Sequence, residues 1–394
     1  MINFYPLPIT GMSIVSSLGN ENDLIVNNIV SKKRGQSYQH NFQNFVKSPL
    51  GISKFQKSSN FNENEVLLNQ IIFSINQIAN KTKVFEKYKP SEIGLFFGTS
   101  TAEPFYLNKK IQNMLLQESL SLEKLLTDQD SHGFSVEKIK EIFPIAGYST
   151  TFTTACSSAA TAVSEAFFAM QQKIIKCCFV GGFDILTPLT ICGFNSLQIL
   201  DQNYCLPFSN DRNGINLSDG GGLFLLELQE NIFSQNALAY ICGVGGANDA
   251  YHNTQPDPNG MGAQLSMTRA LNCAGLKPKN IQYINAHGTG TIANDAAEIK
   301  AIKTIFDENT TVSSTKTFHG HALGGSAALE LAVSILSIQQ QKLFDSLIDD
   351  VSFDEDFLFY NKNLKNKEIS YILSNSFGFG GSNVSLIIGK DYIK

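Results

Sequence analysis

The sequence predicts an α/β protein whose chain consists of two similar halves. Strand-like and helix-like apolar segments alternate along most of its 394 residues, which is the pattern of α/β layering. Two segments are especially alike: Cys156 precedes the small-residue helix SSAATAVSEAFF, and His321 precedes the small-residue helix ALGGSAALELAVSIL. We interpret this likeness as an internal duplication, with halves at residues 1–235 and 236–394.

The elements of the first half follow from its apolar runs. The opening apolar stretch ends in a turn at Gly19, and residues 93–98 predict a buried strand that leads into the small-residue loop GTSTAE. Residues 105–140 are amphipathic and charged, which predicts helices covering one face. The helix after Cys156 is followed by two apolar strands, CCFVGGFD and GLFLLEL.

The second half shows a comparable series. ALAYICGVGGAND begins near residue 237, and an amphipathic helix over 262–274 comes next. The strand IQYINAHGTGT, a helix from Asn294 and the helix after His321 follow in that order. The chain ends in a strand pair around the glycine-rich FGFGG.

Composition excludes several classes of function. The formal net charge is −5 and the basic residues are scattered, so we predict no nucleic-acid or anionic-membrane surface. No segment has the pattern of a signal peptide or the length of a membrane span. The seven cysteines form neither a disulfide framework nor paired metal-ligand motifs, which favours a reducing, cytoplasmic location.

Cys156 is the first candidate for chemistry. It stands where a loop enters a helix, and the positive end of a helix dipole lowers the pKa of a thiol and offers N–H groups to a developing oxyanion. The alternative is a packed core cysteine, the commoner role of a single cysteine. The residue alone does not decide between the two.

The segment NAHGTGT supplies a second candidate group. His287 lies at a predicted strand end, where active-site residues of α/β proteins commonly lie, and the hydroxyls of Thr289 and Thr291 follow it. A core histidine with a hydrogen-bonded ring is the alternative.

The segment SSTKTFHGHALGG adds Lys316 and His321. His319 and His321 are two residues apart, but no further Cys or carboxylate stands at ligand spacing, so we predict no metal site. Lys316 could equally be a surface lysine, and Glu298 could simply complement a helix N-terminus.

The glycine-rich segment SNSFGFGGSN near the carboxyl end also has two interpretations. It can be a tight turn before the last strand. It can also be a loop whose N–H groups and Phe379 ring border a reacting centre.

Taken together, TTACSSAATA, NAHGTGT, SSTKTFHGHALGG and SNSFGFGG resemble the β-ketoacyl-acyl carrier protein synthases of bacterial fatty-acid and polyketide synthesis, in their two-histidine type. The resemblance runs from about Gly98 to Ile388. It implies the thiolase fold, in which a duplicated α/β unit forms five α-β-α-β-α layers, normally in a homodimer.

The resemblance also implies a role for each motif residue at the reacting centre. Cys156 matches the nucleophile that receives the acyl chain from the carrier's phosphopantetheine. His287 and His321 match the pair that assists malonyl decarboxylation and stabilises the enolate. Lys316 matches the motif lysine, and Glu298 matches its carboxylate partner.

Three further residues match supporting positions. Thr289 and Thr291 match hydroxyls that meet the pantetheine arm, and Phe379 matches a gating ring whose N–H joins that of Cys156 in the oxyanion hole. The implied activity is a decarboxylative Claisen condensation of a Cys-bound acyl chain with malonyl-acyl carrier protein, without a metal or redox cofactor.

Other functions within the resemblance remain open. A chain-length-factor-like subunit is catalytically silent and usually lacks the nucleophilic cysteine, whereas the chain has Cys156 and could pair with such a subunit as a heterodimer. A degradative thiolase needs a second cysteine near the carboxyl end, but the last cysteine is Cys273. A carrier-protein-binding scaffold is the non-enzyme alternative.

Departures from the family pattern bear on specificity. Leu206 stands where the family often has Arg, and Ser218 where it often has Gly. GFNSLQILD and DAYHNTQPDPNGMGA resemble synthases of aryl-polyene pathways. We expect residues 99–103 and the dimer interface to shape the acyl pocket.

Overall fold

The computed structural model describes residues 4–39, 46–53, 63–100, 133–228, 237–307, 310–344 and 368–391. Its strands are β1 (Leu7–Val15), β2 (Gln36–Ser37), β3 (Leu50–Gly51), β4 (Ile93–Gly98), β5 (Ser149–Phe152), β6 (Cys177–Asp184), β7 (Gly220–Glu227), β8 (Ala239–Asn248), β9 (Tyr283–Asn285), β10 (Thr311–Ser313), β11 (Tyr371–Gly378) and β12 (Ser382–Gly389). Its helices are α1 (Asn22–Val30), α2 (Glu63–Thr82), α3 (Val84–Lys87), α4 (Phe134–Ile142), α5 (Ser158–Gln171), α6 (Pro188–Ser196), α7 (Met261–Ala274), α8 (Ile292–Ile305), α9 (Lys316–His319) and α10 (Ser326–Gln340).

One large sheet organises the described part of the chain. It contains ten strands in the order β10-β9-β11-β12-β8-β1-β7-β6-β4-β5, and β2 pairs with β3 separately. Each half of the chain contributes five strands to this sheet, which can be numbered 1 to 5 in chain order. From the sheet edge to its centre, both halves then show the same spatial order, 3-2-4-5-1. The two halves meet where β1 pairs antiparallel with β8. The predicted boundary after residue 235 falls within residues 229–236, outside the described residues.

Two small-residue helices, α5 and α10, form the central layer. Each contacts strands from both halves of the sheet, and they contact each other. Small side chains are required because the backbones approach closely: a Cβ on Gly98 would lie 2.4 Å from the Ala159 nitrogen. The strands β6 and β7 are buried along their whole length, as the apolar runs CCFVGGFD and GLFLLEL predict.

The outer layers complete the architecture. Helix α2 packs on β1, β6 and β7, whereas α7 packs on β8 and β12 and is itself covered by α8. From one face to the other, the layers are outer helices, a half-sheet, the central helices, a half-sheet and outer helices. These are the five layers that the family resemblance implies. No helix among the described residues has both the length and the apolar character that crossing a membrane requires.

The predicted elements agree with the structure, with two qualifications. The strand predicted over IQYINAHGTGT is shorter than expected, since β9 ends at Asn285 and Gly288 and Gly290 take positive φ angles of 35° and 84°. The helical prediction for 105–140 is confirmed for α4. Residues 101–132, including part of the predicted pocket segment 99–103, lie outside the described residues.

Candidate active site

Cys156 lies at the entrance to the central helix α5. It occupies a 3₁₀ turn, Ala155–Ser157, that passes directly into α5. Ala155 takes a φ of 51°, a conformation that a residue with a Cβ rarely adopts and that costs about 1 kcal/mol or more. The glycine opposite is needed for space, because a Cβ on Gly378 would lie 2.8 Å from the Thr154 carbonyl oxygen and 3.2 Å from the Cys156 nitrogen. The turn thus brings the thiol against the end of β11.

Burial dominates the electrostatics of the thiol. Cys156 is only 6% exposed, and burial raises the pKa of its thiol to about 12, although Lys316 and a hydrogen bond from the Phe379 N–H act to lower it. The sequence-based expectation of a lowered thiol pKa is therefore wrong for the unacylated protein, because loss of hydration outweighs the favourable charges. The Phe379 N–H already points at the reacting sulfur.

His287 is held by its backbone as well as its ring. The two carboxylate oxygens of Glu298 accept the N–H groups of His287 at 2.9 Å and Gly288 at 2.8 Å, and the Asn375 amide donates to Glu298 at 3.1 Å. Gly288 has no room for a side chain, since a Cβ would lie 2.6 Å from that of Ser314. Glu298 therefore fixes the loop that presents His287.

Lys316 connects His287 to a second carboxylate. Its ammonium donates to the His287 carbonyl at 2.6 Å and to His287 Nδ1 at 3.2 Å, and it forms a fully buried ion pair with Glu330. The implied pairing of Lys316 with Glu298 is wrong. Glu330 lies on α10 and reaches the ammonium from that helix, whereas both oxygens of Glu298 are used by the His287–Gly288 backbone.

The hydrogen bonds fix the tautomer of each histidine. An ammonium only donates, so His287 Nδ1 accepts from Lys316 and the ring hydrogen lies on Nε2. His321 Nδ1 accepts the Leu323 N–H at 2.9 Å, which also leaves the hydrogen on Nε2. Burial, and then Lys316, lower the pKa of both imidazoles well below the usual value. Both rings are neutral Nε2–H donors near neutral pH.

The three side chains converge. One donor atom each from Cys156, His287 and His321 lie within 4.8 Å of one another, and the two imidazole centroids are 5.5 Å apart with perpendicular rings. Such a trio has the composition of a metal site, but two Nε2–H donors facing inward suit an anion rather than a cation. His319 does not join it, because its ring bonds Thr315 at 3.1 Å and the Gly320 carbonyl at 2.6 Å.

A cleft of about 380 Å³ leads to this centre. Thr289 and Thr291 line it, with their hydroxyls 2.9 Å apart, and their contact with a pantetheine arm stays a prediction. The half-buried Phe379 ring also lines the cleft and stacks on Phe194 with a centroid distance of 5.9 Å. Gly380, with a φ of 77°, lets the chain reverse after that ring.

The structure adds residues that the motifs did not single out. Glu330 is the clearest, and its signal is visible in the sequence: a carboxylate inside the buried helix ALGGSAALELAV requires a partner. Phe194, the stacking partner of Phe379, lies on α6 and has no such signal. Ser218 and Leu206 are the two residues that depart from the family pattern. Ser218 donates its backbone N–H to the His321 carbonyl at 2.9 Å, and Leu206 is half-buried.

The duplicated sheet around two central helices is the thiolase fold, and its paired turns carry a Cys–His–His centre. The N-terminal domain model of the beta-ketoacyl synthases matches residues 77–231, and the C-terminal domain model matches residues 238–347. These matches together span more than half of the chain, which belongs to the β-ketoacyl synthase family.

Individual relatives agree with this assignment. The chain is 36% identical over 251 residues to 3-oxoacyl-[acyl-carrier-protein] synthase 2 of Staphylococcus aureus, and 36% identical over 250 residues to the protein of that name in Synechocystis. Each match covers 60% of this chain, and the chain spans about 60% of the length of the curated relatives it matches. A chain of the complex between a ketosynthase and its chain length factor from Xenorhabdus doucetiae superposes with a TM-score of 0.83 at 27% identity, and the match covers 98% of both chains.

Proposed function

We propose that this chain is an active β-ketoacyl-acyl carrier protein synthase, an acyltransferase that performs decarboxylative Claisen condensation. The observation that carries the proposal is the convergence of the Cys156 thiol with two imidazoles, both holding their hydrogen on Nε2. A nucleophile beside two neutral donors matches what thioester transfer and enolate formation each require.

Acylation uses the Cys156 turn. The thiolate attacks the carbonyl carbon of an acyl thioester, the N–H groups of Cys156 and Phe379 hold the resulting oxyanion, and the carrier thiolate leaves. The high thiol pKa means that the free thiolate is scarce at neutral pH, so the thiol loses its proton as it attacks, and the departing carrier thiolate takes that proton up. Helix α5 and Lys316 favour the negative charge as it forms.

Condensation uses the histidine pair. The malonyl thioester loses carbon dioxide as its C–C bond breaks, and the electron pair moves into an enolate whose oxygen accepts both Nε2–H bonds. The α-carbon then attacks the acyl-Cys156 carbonyl and gives a β-ketoacyl thioester. The Cys156 thiolate leaves and takes up a proton from solvent, which regenerates the free enzyme. Lys316 and Glu298 fix the position of His287 throughout.

The substrates and partners follow from the same proposal. The acyl and malonyl groups arrive on an acyl carrier protein, which the names of the relatives from Staphylococcus and Synechocystis contain. Its phosphopantetheine arm passes Thr289 and Thr291. We propose no resident metal or redox cofactor, because the imidazole pair presents donors. A cytoplasmic location stays a prediction.

Assembly and pathway are finer proposals. β5 is an edge strand of the described sheet with half-buried residues, and an unpaired edge of this kind suits pairing with a second copy in a homodimer. A heterodimer with a chain-length-factor-like subunit is the alternative, as in the Xenorhabdus relative. An aryl-polyene pathway rests on GFNSLQILD and DAYHNTQPDPNGMGA. Native mass of the protein alone would distinguish a homodimer from a chain that needs a different subunit.

The activity is tested by mass spectrometry of carrier proteins after incubation with a panel of acyl carriers and malonyl carrier. We expect β-ketoacyl products longer by two carbons, and the preferred acyl length identifies the substrate class. Cys156→Ser serves as the control and should form no product, because a hydroxyl is a far weaker nucleophile at neutral pH. Product formation by that variant would contradict the covalent mechanism. Absence of product with every carrier would favour a silent subunit or a scaffold.

A further inference from the structure

The turn that carries Cys156 has a counterpart in the second half of the chain. Leu323–Gly325 is also a 3₁₀ turn, it passes directly into the central helix α10, and Leu323 has a φ of 50°, against 51° for Ala155. Each turn is closed by one hydrogen bond, from the backbone N–H of its third residue to the carbonyl oxygen of the residue that precedes the turn. The donor–acceptor distance is 3.2 Å for Ser157 and 2.9 Å for Gly325. Gly324 therefore occupies the position equivalent to Cys156.

Each turn is completed by a strand of the opposite half. β11 ends beside the Cys156 turn, and β6 ends beside the Gly324 turn. The last residues of these strands are also equivalent, because Gly378 pairs with the first residue of β12 and Asp184 pairs with the first residue of β7. The glycine brings no side chain to the first turn, whereas the aspartate places a carboxylate at the second.

That carboxylate occupies the second turn as a hydrogen-bond acceptor. Asp184 is fully buried, and its Oδ2 accepts the N–H groups of Gly324 at 2.7 Å and Ser100 at 2.9 Å as well as the Ser100 hydroxyl at 2.6 Å. Its Oδ1 accepts the Thr99 hydroxyl at 2.8 Å. Two backbone N–H groups around one oxygen are the arrangement that stabilises an oxyanion at the Cys156 turn.

We propose, resting on the condensing function above, that Asp184 is a positioning residue for His321. By filling the second turn with a hydrogen-bond acceptor, it fixes the Leu323 N–H that bonds His321 Nδ1 and so holds the hydrogen of that imidazole on Nε2. The first turn receives no carboxylate, so its N–H groups serve the transient oxyanion of the reaction. The two equivalent turns thus have different roles. The turn of the first half carries the nucleophile Cys156, and the turn of the second half supports His321, which donates to the enolate.

Asp184→Asn tests this role, because it keeps the shape but puts an NH₂ group where oxygens accept hydrogen bonds. Two half-reactions are measured on the full chain: acylation of Cys156 by intact mass, and release of carbon dioxide from malonyl carrier. We expect decarboxylation to fall at least tenfold, with acylation within about threefold of the wild type. Ser100→Ala, which removes one donor and leaves the backbone, should show a smaller change in the same direction, and it tests the proposal if Asp184→Asn does not fold.

Glu227→Gln is the matched control. Glu227 is also a buried carboxylate, and it lies at the opposite end of the β6–β7 pair, where it bonds Tyr88 at 3.0 Å. The Glu227→Gln variant should have a lower melting temperature, but its acylation and decarboxylation rates should change by the same factor. If Asp184→Asn lowers both rates equally and in step with melting temperature, or changes neither, the proposal is overturned. A wild-type protein inactive in both assays would instead count against the condensing function.

Discussion

At the scale of single residues, the site depends on which atoms carry hydrogen. Lys316 donates a hydrogen bond to Nδ1 of His287, and the Leu323 N–H donates one to Nδ1 of His321. Two neutral Nε2–H donors are therefore left beside Cys156. Motifs in the sequence predicted the residue types, but neither the tautomers nor the raised thiol pKa, because both depend on burial and on backbone groups brought in by folding.

The division of labour between the cysteine and the histidines predicts a separation of half-reactions. His287→Ala and His321→Ala should each lower malonyl decarboxylation by about 10²–10³-fold, the usual effect of removing one preorganised donor, while acylation of Cys156 changes far less. Carbon dioxide release and acyl-enzyme mass measure the two steps. His319→Gln is the control, because the His319 ring bonds Thr315 and the Gly320 carbonyl and does not join the Cys156 centre. Equal losses in both steps would make the two histidines general structural supports.

The carboxylate that pairs with Lys316 can be identified by stability measurements. Breaking a buried ion pair from one side costs about 3–5 kcal/mol, whereas replacing both partners by apolar residues costs much less. Lys316→Met and Glu330→Leu should therefore be strongly coupled in a double-mutant cycle measured by denaturant unfolding. The comparison is a cycle of Lys316→Met with Glu298→Gln. A larger coupling energy for Glu298 than for Glu330 would contradict the assigned pair.

The error about Glu298 shows what the sequence lacks. Glu298 and Glu330 are both buried carboxylates on helices that border the histidine loops, and burial raises the pKa of each to about 7. Which one meets the ammonium depends on how α8 and α10 are rotated against the loop. No local pattern in NDAAE or ALELAV encodes that rotation.

At the scale of elements, the turns between strands and helices carry the function. The strands and helices themselves were predictable, because apolar runs such as CCFVGGFD and the small residues after Cys156 determine them locally. The equivalence of the Cys156 and Gly324 turns was only hinted at by the likeness of the helices that follow. It becomes definite through Ala155 and Leu323, whose matching positive φ angles are a property of the folded chain.

The Phe379 loop is predicted to act as a gate. The ring is half-buried, stacks on Phe194 and lies between two glycines, so it can move at low conformational cost. Phe379→Ala should keep the backbone N–H donor and change the ratio of acylation rates for short and long acyl carriers. Phe194→Ala, which removes the other ring but no oxyanion donor, should change that ratio in the same direction. A uniform loss for all chain lengths that follows melting temperature would leave no role for a gate.

At the scale of the whole molecule, the thiolase fold buries many ionisable groups between its layers. The fold class was predictable from the motif set and the alternating elements. The shared arrangement 3-2-4-5-1 in both half-sheets required the strand pairings, since nothing in the sequence specifies which apolar strands become neighbours.

Burial of thiols predicts a loss of stability in alkali. Burial raises the pKa of Cys205 to about 11 and of Cys156 and Cys242 to about 12, above an ordinary value near 9. The unfolded chain then loses protons first, so stability is intact below pH ~9 and falls as pH rises towards the folded-state values, by up to about 1.4 kcal/mol per pH unit for each thiol. Unfolding by denaturant between pH 8 and 10.5 measures this. Cys242→Ala should reduce the slope, and equal stability across that range would contradict the burial of these thiols.

The central claim is that Cys156 alone carries the acyl chain during condensation. The most direct test is peptide mapping of the protein after it reacts with an acyl carrier and is quenched before malonyl carrier is added. We predict a single acyl adduct on the peptide containing Cys156, which disappears when malonyl carrier is supplied as the β-ketoacyl product forms. An adduct chiefly on Cys205 or Cys273, or one on Cys156 that persists in the presence of malonyl carrier, would contradict the account.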